Sequence, residues 1–266
     1  MADPWVRKVV IGSCELYLGD CLEVMPSLGS VDHFMMDPPY EEITHTAKSK
    51  GGARRDMRAD GRKELQELDF APIDEIRGRV VELGTQCDGW FIAFCTPEGV
   101  RPWADEINAS PMKYKRACTW IKPDSPPQFN GQGPASGFEN FVCAWAGKGH
   151  SRWNAGGKRG VYTEMVSPKD RTGGHPTEKP WRLMRELLFD FTRPGDLVAD
   201  PFAGSGTTLV AAALTGRRAI GIEQNPEYFS LACRRVRKAV LSVQQLGADL
   251  LPCVQGDMFQ EVEAYG

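Results

Sequence analysis

Two rhythms of apolar residues take turns along this chain. In the first, apolar residues are consecutive or strictly alternating over four to six positions, as in a strand. Glu15-Leu16-Tyr17-Leu18 alternates. Val31 to Met36 carries Phe34, Met35 and Met36 in a row, the pattern of a strand covered on both faces. Gly89 to Phe94, Ala117 to Ile121, Asn140 to Ala146, Leu197 to Asp200 and Ala219 to Glu223 read in the same way. In the second rhythm, apolar residues return every three or four positions, as on one face of a helix. Phe70 to Glu82, Pro97 to Ile107 and Trp181 to Phe191 are such segments; Cys21 to Leu28 is a short helix candidate, and the wholly apolar Leu209 to Leu214 reads as a buried helical segment. Asn225 with Pro226 after it predicts the start of another, with Phe229, Ala232, Cys233 and Val236 as its buried stripe. Strands alternating with helices predict an α/β fold, a mostly parallel twisted sheet with helices on both faces. At 266 residues, one large domain spanning 1–266 is expected.

In such a sheet ligands sit at the carboxyl ends of the strands. Four predicted strand ends carry an acid: Asp20, Asp37, Asp200 and Glu223. Each alone is equally well a helix cap or a turn former. Together they set several carboxylates round one crevice, which suits hydroxyls, amines or a positive centre and not a phosphate. Asp37 opens Asp37-Pro38-Pro39-Tyr40, where two prolines stop the strand because neither can donate to a ladder. Asp200 opens Asp200-Pro201-Phe202-Ala203-Gly204-Ser205-Gly206-Thr207-Thr208, which runs from a strand through a tight turn into a helix. Glycine at 204 and 206 is expected to let the backbone approach a ligand closely. No Lys follows the second glycine and no third glycine is present, so this is neither a P-loop nor a dinucleotide fingerprint. A plain glycine-rich connection remains the alternative. Glu223 ends the next strand, about 20 residues on, where an acid can take two ribose hydroxyls.

Two stretches break the rhythm. Residues 41–70 form a basic insertion, and Thr44 to Lys63 holds seven basic and two acidic side chains, Lys48, Lys50, Arg54 and Arg55 among them. Residues 147–174 are a second, with six basic and two acidic side chains, including Arg152, Lys158 and Arg159 beside Trp153. Basic residues among aromatics suit phosphate contact and base stacking, although a solvated surface loop reads alike. The net charge of −3 means an anionic partner must be met by such local patches. Eight cysteines lack CxxC pairs and regular spacing, so reduced thiols and no metal site are expected. The opening MADPWVRKVV has no long apolar run, and no stretch of about 18 apolar residues occurs, so neither a signal peptide nor a membrane span is expected.

Asp37 to Tyr40, Asp200 to Thr208 and His175-Pro176-Thr177-Glu178-Lys179-Pro180 together resemble the amino-group DNA methyltransferases that use S-adenosylmethionine. The catalytic motif precedes the cofactor motif, which is similar to the permuted group called beta; Arg152 to Gly157 also resembles phage and prophage members. The resemblance covers roughly residues 10–240. It implies a Rossmann-like class I methyltransferase fold and an enzyme that methylates the exocyclic N6 of a flipped adenine, with cytosine N4 as the nearest alternative. An inactive nucleic-acid-binding relic is the alternative from another class. Asp at 37 favours adenine, since the cytosine enzymes more often carry Ser there. Asp37, Pro38, Pro39 and Tyr40 would handle the target base. Phe202, Gly204, Ser205, Gly206 and Thr207 would line the cofactor, and Asp200 would orient the turn beneath it. Glu223 would hold the ribose hydroxyls, Asp20 the adenine amine, and Thr177 and Lys179 the methionine end. The two basic insertions would meet double-stranded DNA, the second as a short target-recognition region. A second copy of the chain and a cognate restriction endonuclease are the implied protein partners, and the cytoplasm of a bacterial or phage-infected cell the implied location.

Overall fold

The computed structural model describes residues 3–40, 73–127, 133–166 and 178–246. Two hydrophobic clusters lie on opposite faces of a nine-stranded sheet. Its order is β1 (Arg7–Ile11), β2 (Cys14–Leu18), β9 (Arg218–Glu223), β8 (Leu197–Asp200), β3 (His33–Met36), β4 (Trp90–Cys95), β6 (Phe138–Trp145), β5 (Lys113–Ile121) and β7 (Val161–Thr163). From β2 to β4 every pairing is parallel; β1 and β6 run against their neighbours, and β7 is parallel to β5. The expected α/β fold with a mostly parallel sheet is present.

The helices are α1 (Cys21–Val24), α2 (Ile73–Gly84), α3 (Val100–Ala109), α4 (Trp181–Phe191), α5 (Thr207–Leu214) and α6 (Pro226–Leu246). A 3-10 turn, Met25–Ser27, continues α1 to the end of the segment expected to be helical. On β3, Met35 joins the cluster under α4, α5 and α6, while Phe34 and Met36 join the one that holds Val80 of α2 and Trp103 of α3. The consecutive apolar residues there are thus used on both faces. Leu183, Met184, Leu187, Leu188 and Phe191 of α4 are all buried, as their spacing predicted. Asn225 caps α6, its Oδ1 accepting from the Glu227 and Tyr228 N–H groups at 2.8 and 3.2 Å.

Two strands lay outside the sequence pattern. The edge strand β1 shows mostly polar or exposed side chains and joins β2 as a hairpin, with Lys8 paired to Glu15 at 2.8 Å. The three-residue β7 buries only Tyr162. Neither has enough buried alternation to register as a strand. β5 begins four residues earlier than expected because a bulge near Tyr114 and Arg116 breaks its alternation. The whole basic segment 41–70 lies outside the described residues, as do residues 167–177, Thr177 among them.

The sheet has a direction that positions everything else. β8 leads through α5 to β9 on one side, and β3 leads to β4 on the other. The strand order therefore reverses between β8 and β3, and a crevice opens at their carboxyl ends. The ends of β2, β9, β8 and β3 are four consecutive neighbours along that edge.

Candidate active site

β3 and β8 pair directly, with His33 opposite Val198 and Phe34 opposite Ala199. Asp37 and the turn after Asp200 consequently leave the same edge of adjacent strands. The two motifs share one crevice.

Asp37 sits at its centre. Its Oδ2 accepts from the Lys179 ammonium at 2.6 Å. Its Oδ1 is buried and has no hydrogen-bond partner among the described residues. Such an acceptor carries a penalty of about 1–3 kcal/mol until something donates to it. Burial pushes the Asp37 pKa above its ordinary range against the pull of Lys179, with Glu139 adding to the rise. Lys179 also donates to the Tyr40 hydroxyl at 2.9 Å and lies 3.3 Å from Glu139 Oε2. Its charge sits over the rings of Tyr40 and Phe94 at 5.2 and 5.1 Å. Burial alone would lower its pKa, but Asp37 and Glu139 hold it well above the usual lysine value. Glu139 in turn is bound by Lys122.

Across the crevice, the turn presents a partly exposed Phe202 ring and the partly exposed Gly204 backbone. Gly204 takes φ 52°, a left-handed conformation that favours glycine. Its N–H donates to Glu223 Oε2 at 2.8 Å, and Asn225 N–H donates to Oε1 at 2.7 Å. Each oxygen keeps a second lone pair for a ligand hydroxyl. Burial raises the Glu223 pKa against these two donors. Asp200 lies beneath the turn, its Oδ1 accepting from Phe202 N–H at 3.1 Å. Burial pushes it up to about 7, Asp37 and Glu223 adding to the rise while the Thr208 hydroxyl and Phe202 N–H oppose it. Asp20 caps α1 through Leu22 N–H at 2.8 Å, so its carboxylate stands at the outer end of the same edge.

Three positions of the turn face inward instead. Ser205, Gly206 and Thr207 are buried. A Cβ on Gly206 would come within 2.9 Å of the Ala232 side chain, so this glycine (φ 82°) lets α6 approach rather than a ligand. Ser205 Oγ and Thr207 Oγ1 accept from Arg235 at 2.6 and 3.2 Å. Arg235 also donates to the Ser205 carbonyl at 2.7 Å and to Glu178. The side chains of Glu178 and Lys179 thus tie the cofactor-side turn, through Arg235, to the Asp37 cluster. Nothing in the apolar pattern or the motif roles singled out Glu178, Arg235, Glu139 or Lys122. Lys122 and Glu139 do stand at the end of β5 and the start of β6. Only the antiparallel pairing of those strands brings both to the carboxyl edge.

The second basic segment departs from expectation. Arg152 and Trp153 sit at the opposite, amino edge of the parallel strands. The Arg152 carbonyl accepts from the Trp90 indole at the start of β4, and its guanidinium lies over Trp145 at 5.8 Å. Trp153 packs edge-on against Phe191 at 4.8 Å. Lys158 binds Glu186 at 2.8 Å and Asp190 on α4. Arg152 and Trp153 therefore lie away from the base-handling edge, and the partly exposed Lys158 is held by two carboxylates of α4. Arg159 is exposed beside it. Lys48, Lys50, Arg54, Arg55 and Thr177 lie outside the described residues.

A family model for N6/N4 methyltransferases, described as DNA methylase, matches residues 31–234. The chain belongs to this DNA methylase family. The methylase is 26% identical over 243 residues to the type II methyltransferase M2.MboI of Moraxella bovis, covering 83% of this chain and 86% of that one. Its fold matches the crystal structure of the M1.HpyAVI-SAM complex with a TM-score of 0.63 at 25% identity, over 84% of this chain and 98% of the other. The cytosine-N4-specific PvuII DNA methyltransferase has the same fold, with a TM-score of 0.64 at 17% identity over 93% and 96%. Among the described residues no cluster of three metal-ligating side chains occurs, and no helix is long and apolar enough to cross a membrane.

Proposed function

We propose that this methylase transfers a methyl group from S-adenosylmethionine to the exocyclic N6 of an adenine swung out of double-stranded DNA. The observation that carries this reading is Asp37 Oδ1, a buried acceptor with no described partner, one strand away from the glycine turn. A bound donor fits the crevice on the other side. Glu223 offers acceptor capacity for two ribose hydroxyls, Phe202 a flat apolar surface, and Asp20 an acceptor for the adenine amine. M1.HpyAVI, a structural neighbour, is described as a SAM complex, which supports this choice of donor. When bound, S-adenosylmethionine supplies a methyl carbon on a positively charged sulfur, which leaves as a neutral thioether.

The chain's own residues supply position and charge. An exocyclic base amine is a poor nucleophile because its lone pair is delocalised into the ring. Asp37 Oδ1 and the Pro38 carbonyl accept its two N–H bonds and draw the nitrogen toward a tetrahedral shape. Tyr40 gives the unstacked base a π-face, worth about 1–3 kcal/mol by stacking estimates. As the amine nitrogen gains its methyl it becomes positive and must lose a proton. Asp37 is the nearest described base, and burial has already raised its proton affinity. Holding donor and amine in line contributes most of the remaining rate. Lys179 belongs to this base-handling side, since its ammonium touches Asp37 and Tyr40.

Asp at 37 supports adenine over cytosine. DNA contacts are assigned to the basic residues of 41–70, and Arg159 is the remaining candidate of the second segment. The test is nucleoside mass spectrometry on DNA incubated with the protein and S-adenosylmethionine. N6-methyladenine is the expected product; N4-methylcytosine would move the assignment to the other base. No methylated nucleoside, with DNA still retained, would leave the inactive binding protein.

A further inference from the structure

Glu139 has no place in the motifs, yet it stands behind the reacting carboxylate. A lysine ammonium has three donors. Among the described residues Lys179 donates to Asp37 Oδ2 at 2.6 Å and Tyr40 Oη at 2.9 Å, and it lies 3.3 Å from Glu139 Oε2, an ion pair without a hydrogen bond. The first two belong to the residues assigned to the base. The third belongs to a strand on the far side, β6, whose neighbour β5 ends in Lys122. Lys122 binds the other Glu139 oxygen, and the Tyr40 hydroxyl further stabilises its charge. Both side chains of the Lys122–Glu139 pair are largely buried, at 15% and 17% exposure. Two negative and two positive groups are thus chained from β5 to Asp37; Glu139 Oε2 faces the Lys179 charge without a hydrogen bond, and Asp37 Oδ1 stands at the end of the chain.

We propose that Glu139, backed by Lys122, is a positioning residue of the methyl-transfer site, acting through Lys179. It fixes the ammonium so that Lys179 closes Asp37 Oδ2 and orients the Tyr40 ring, leaving Oδ1 as the one carboxylate oxygen presented to the target amine. Without the Glu139 charge the ammonium keeps Asp37 and Tyr40 as its partners among the described residues and is drawn further onto the carboxylate. Oδ1 then loses its alignment, and Asp37 becomes a weaker base. Lys122 acts one step further back, so its removal should matter less. This inference rests on the proposed methyl transfer from the Asp37 side of the crevice.

The experiment compares wild-type protein with Glu139→Gln, a near-isosteric change that removes the charge, and with Lys122→Met. Rates of labelled methyl transfer to DNA are measured across pH, with S-adenosylmethionine affinity by calorimetry and melting temperature as controls. For Glu139→Gln the expected result is a fall in kcat of about 100-fold, the scale of a misplaced reacting group, with unchanged cofactor affinity. The acid limb of the pH profile should move to lower pH, because both the lost negative charge and the closer ammonium favour ionised Asp37. Lys122→Met should lower kcat by less and move the acid limb the other way, to higher pH, because the Lys122 charge itself helps hold the Asp37 pKa down. Wild-type kcat and an unmoved acid limb in Glu139→Gln would overturn the inference while methyl transfer itself stands. So would a loss of cofactor affinity or melting temperature that accounts for the whole fall in rate. A wild-type protein that transfers no methyl at all would remove the reading on which the inference rests.

Discussion

The two ends of β3 hold the same kinds of groups in opposite states. At its amino end, His33 is buried and fully bonded. Its Nδ1 accepts from Trp90 N–H at 2.9 Å, so Nε2 carries the proton and donates to Asp196 at 3.0 Å. Asp196 takes a further N–H from Arg193 at 2.8 Å. At the carboxyl end, Asp37 has one oxygen closed by Lys179 and the other without a described partner. The first arrangement ties the sheet to the loop before β8. The second holds an acceptor ready in a buried crevice. The length of one short strand therefore separates a structural polar site from a reactive one, and the difference lies in whether every lone pair is answered.

That contrast can be broken from either side. The largest effect is expected from Asp37→Ala, which should lower methyl transfer by about 10³-fold or more while cofactor affinity stays within about twofold. Parallel transfer and calorimetry measure it, and a loss confined to cofactor affinity would reverse the two halves of the site. Next comes Arg235→Met, which takes the ion-pair partner Arg235 from the buried Glu178 carboxylate. Removing one partner of a buried ion pair should destabilise by about 3–5 kcal/mol in denaturant unfolding. Glu223→Ala should weaken S-adenosylmethionine binding by about tenfold, or about 1.4 kcal/mol, with little change in DNA binding.

The amino end should respond to acid. Burial lowers the His33 pKa below 6.5, outweighing the pull of Asp196. The unfolded chain therefore takes up the proton first as pH falls. The stability supplied by the neutral ring is full above about 6.5 and is lost as pH drops from there toward the lower folded value, at about 1.4 kcal/mol per pH unit separating the two. Melting temperatures between about pH 8 and pH 5 should fall more steeply for the wild type than for His33→Asn. The smallest effect is expected from Arg152→Ala. At the amino edge it should leave the salt dependence of DNA binding unchanged, where a lost phosphate contact would reduce the slope by about 0.9.

Legibility in the sequence followed how local the cause was. β3, β8, β9 and α4 were readable because burial on both faces, or on one helical face, leaves a pattern within a few residues. Asp37 and the glycine turn were readable because each motif is contiguous. The reason for Gly206 was not, since the neighbour it clears, Ala232, lies on a later helix. Glu139 and Lys122 were hidden because their position depends on strand direction, which apolar spacing does not encode. Arg152 and Trp153 looked like a nucleic-acid surface from composition alone. Only the pairing of Trp90 with Trp145 places them at the far edge of the sheet.

The central claim is that one crevice between β3 and β8 holds both the methyl donor and the target amine. A crystal structure of the protein with bound S-adenosylmethionine tests it most directly. The expected result places the ribose on Glu223 and the methyl carbon toward Asp37. An amine hydrogen-bonded to Oδ1 at about 2.9 Å would then stand about 3–3.5 Å from that carbon. A donor bound away from the Gly204 turn, or with its methyl carbon facing away from Asp37, would contradict it.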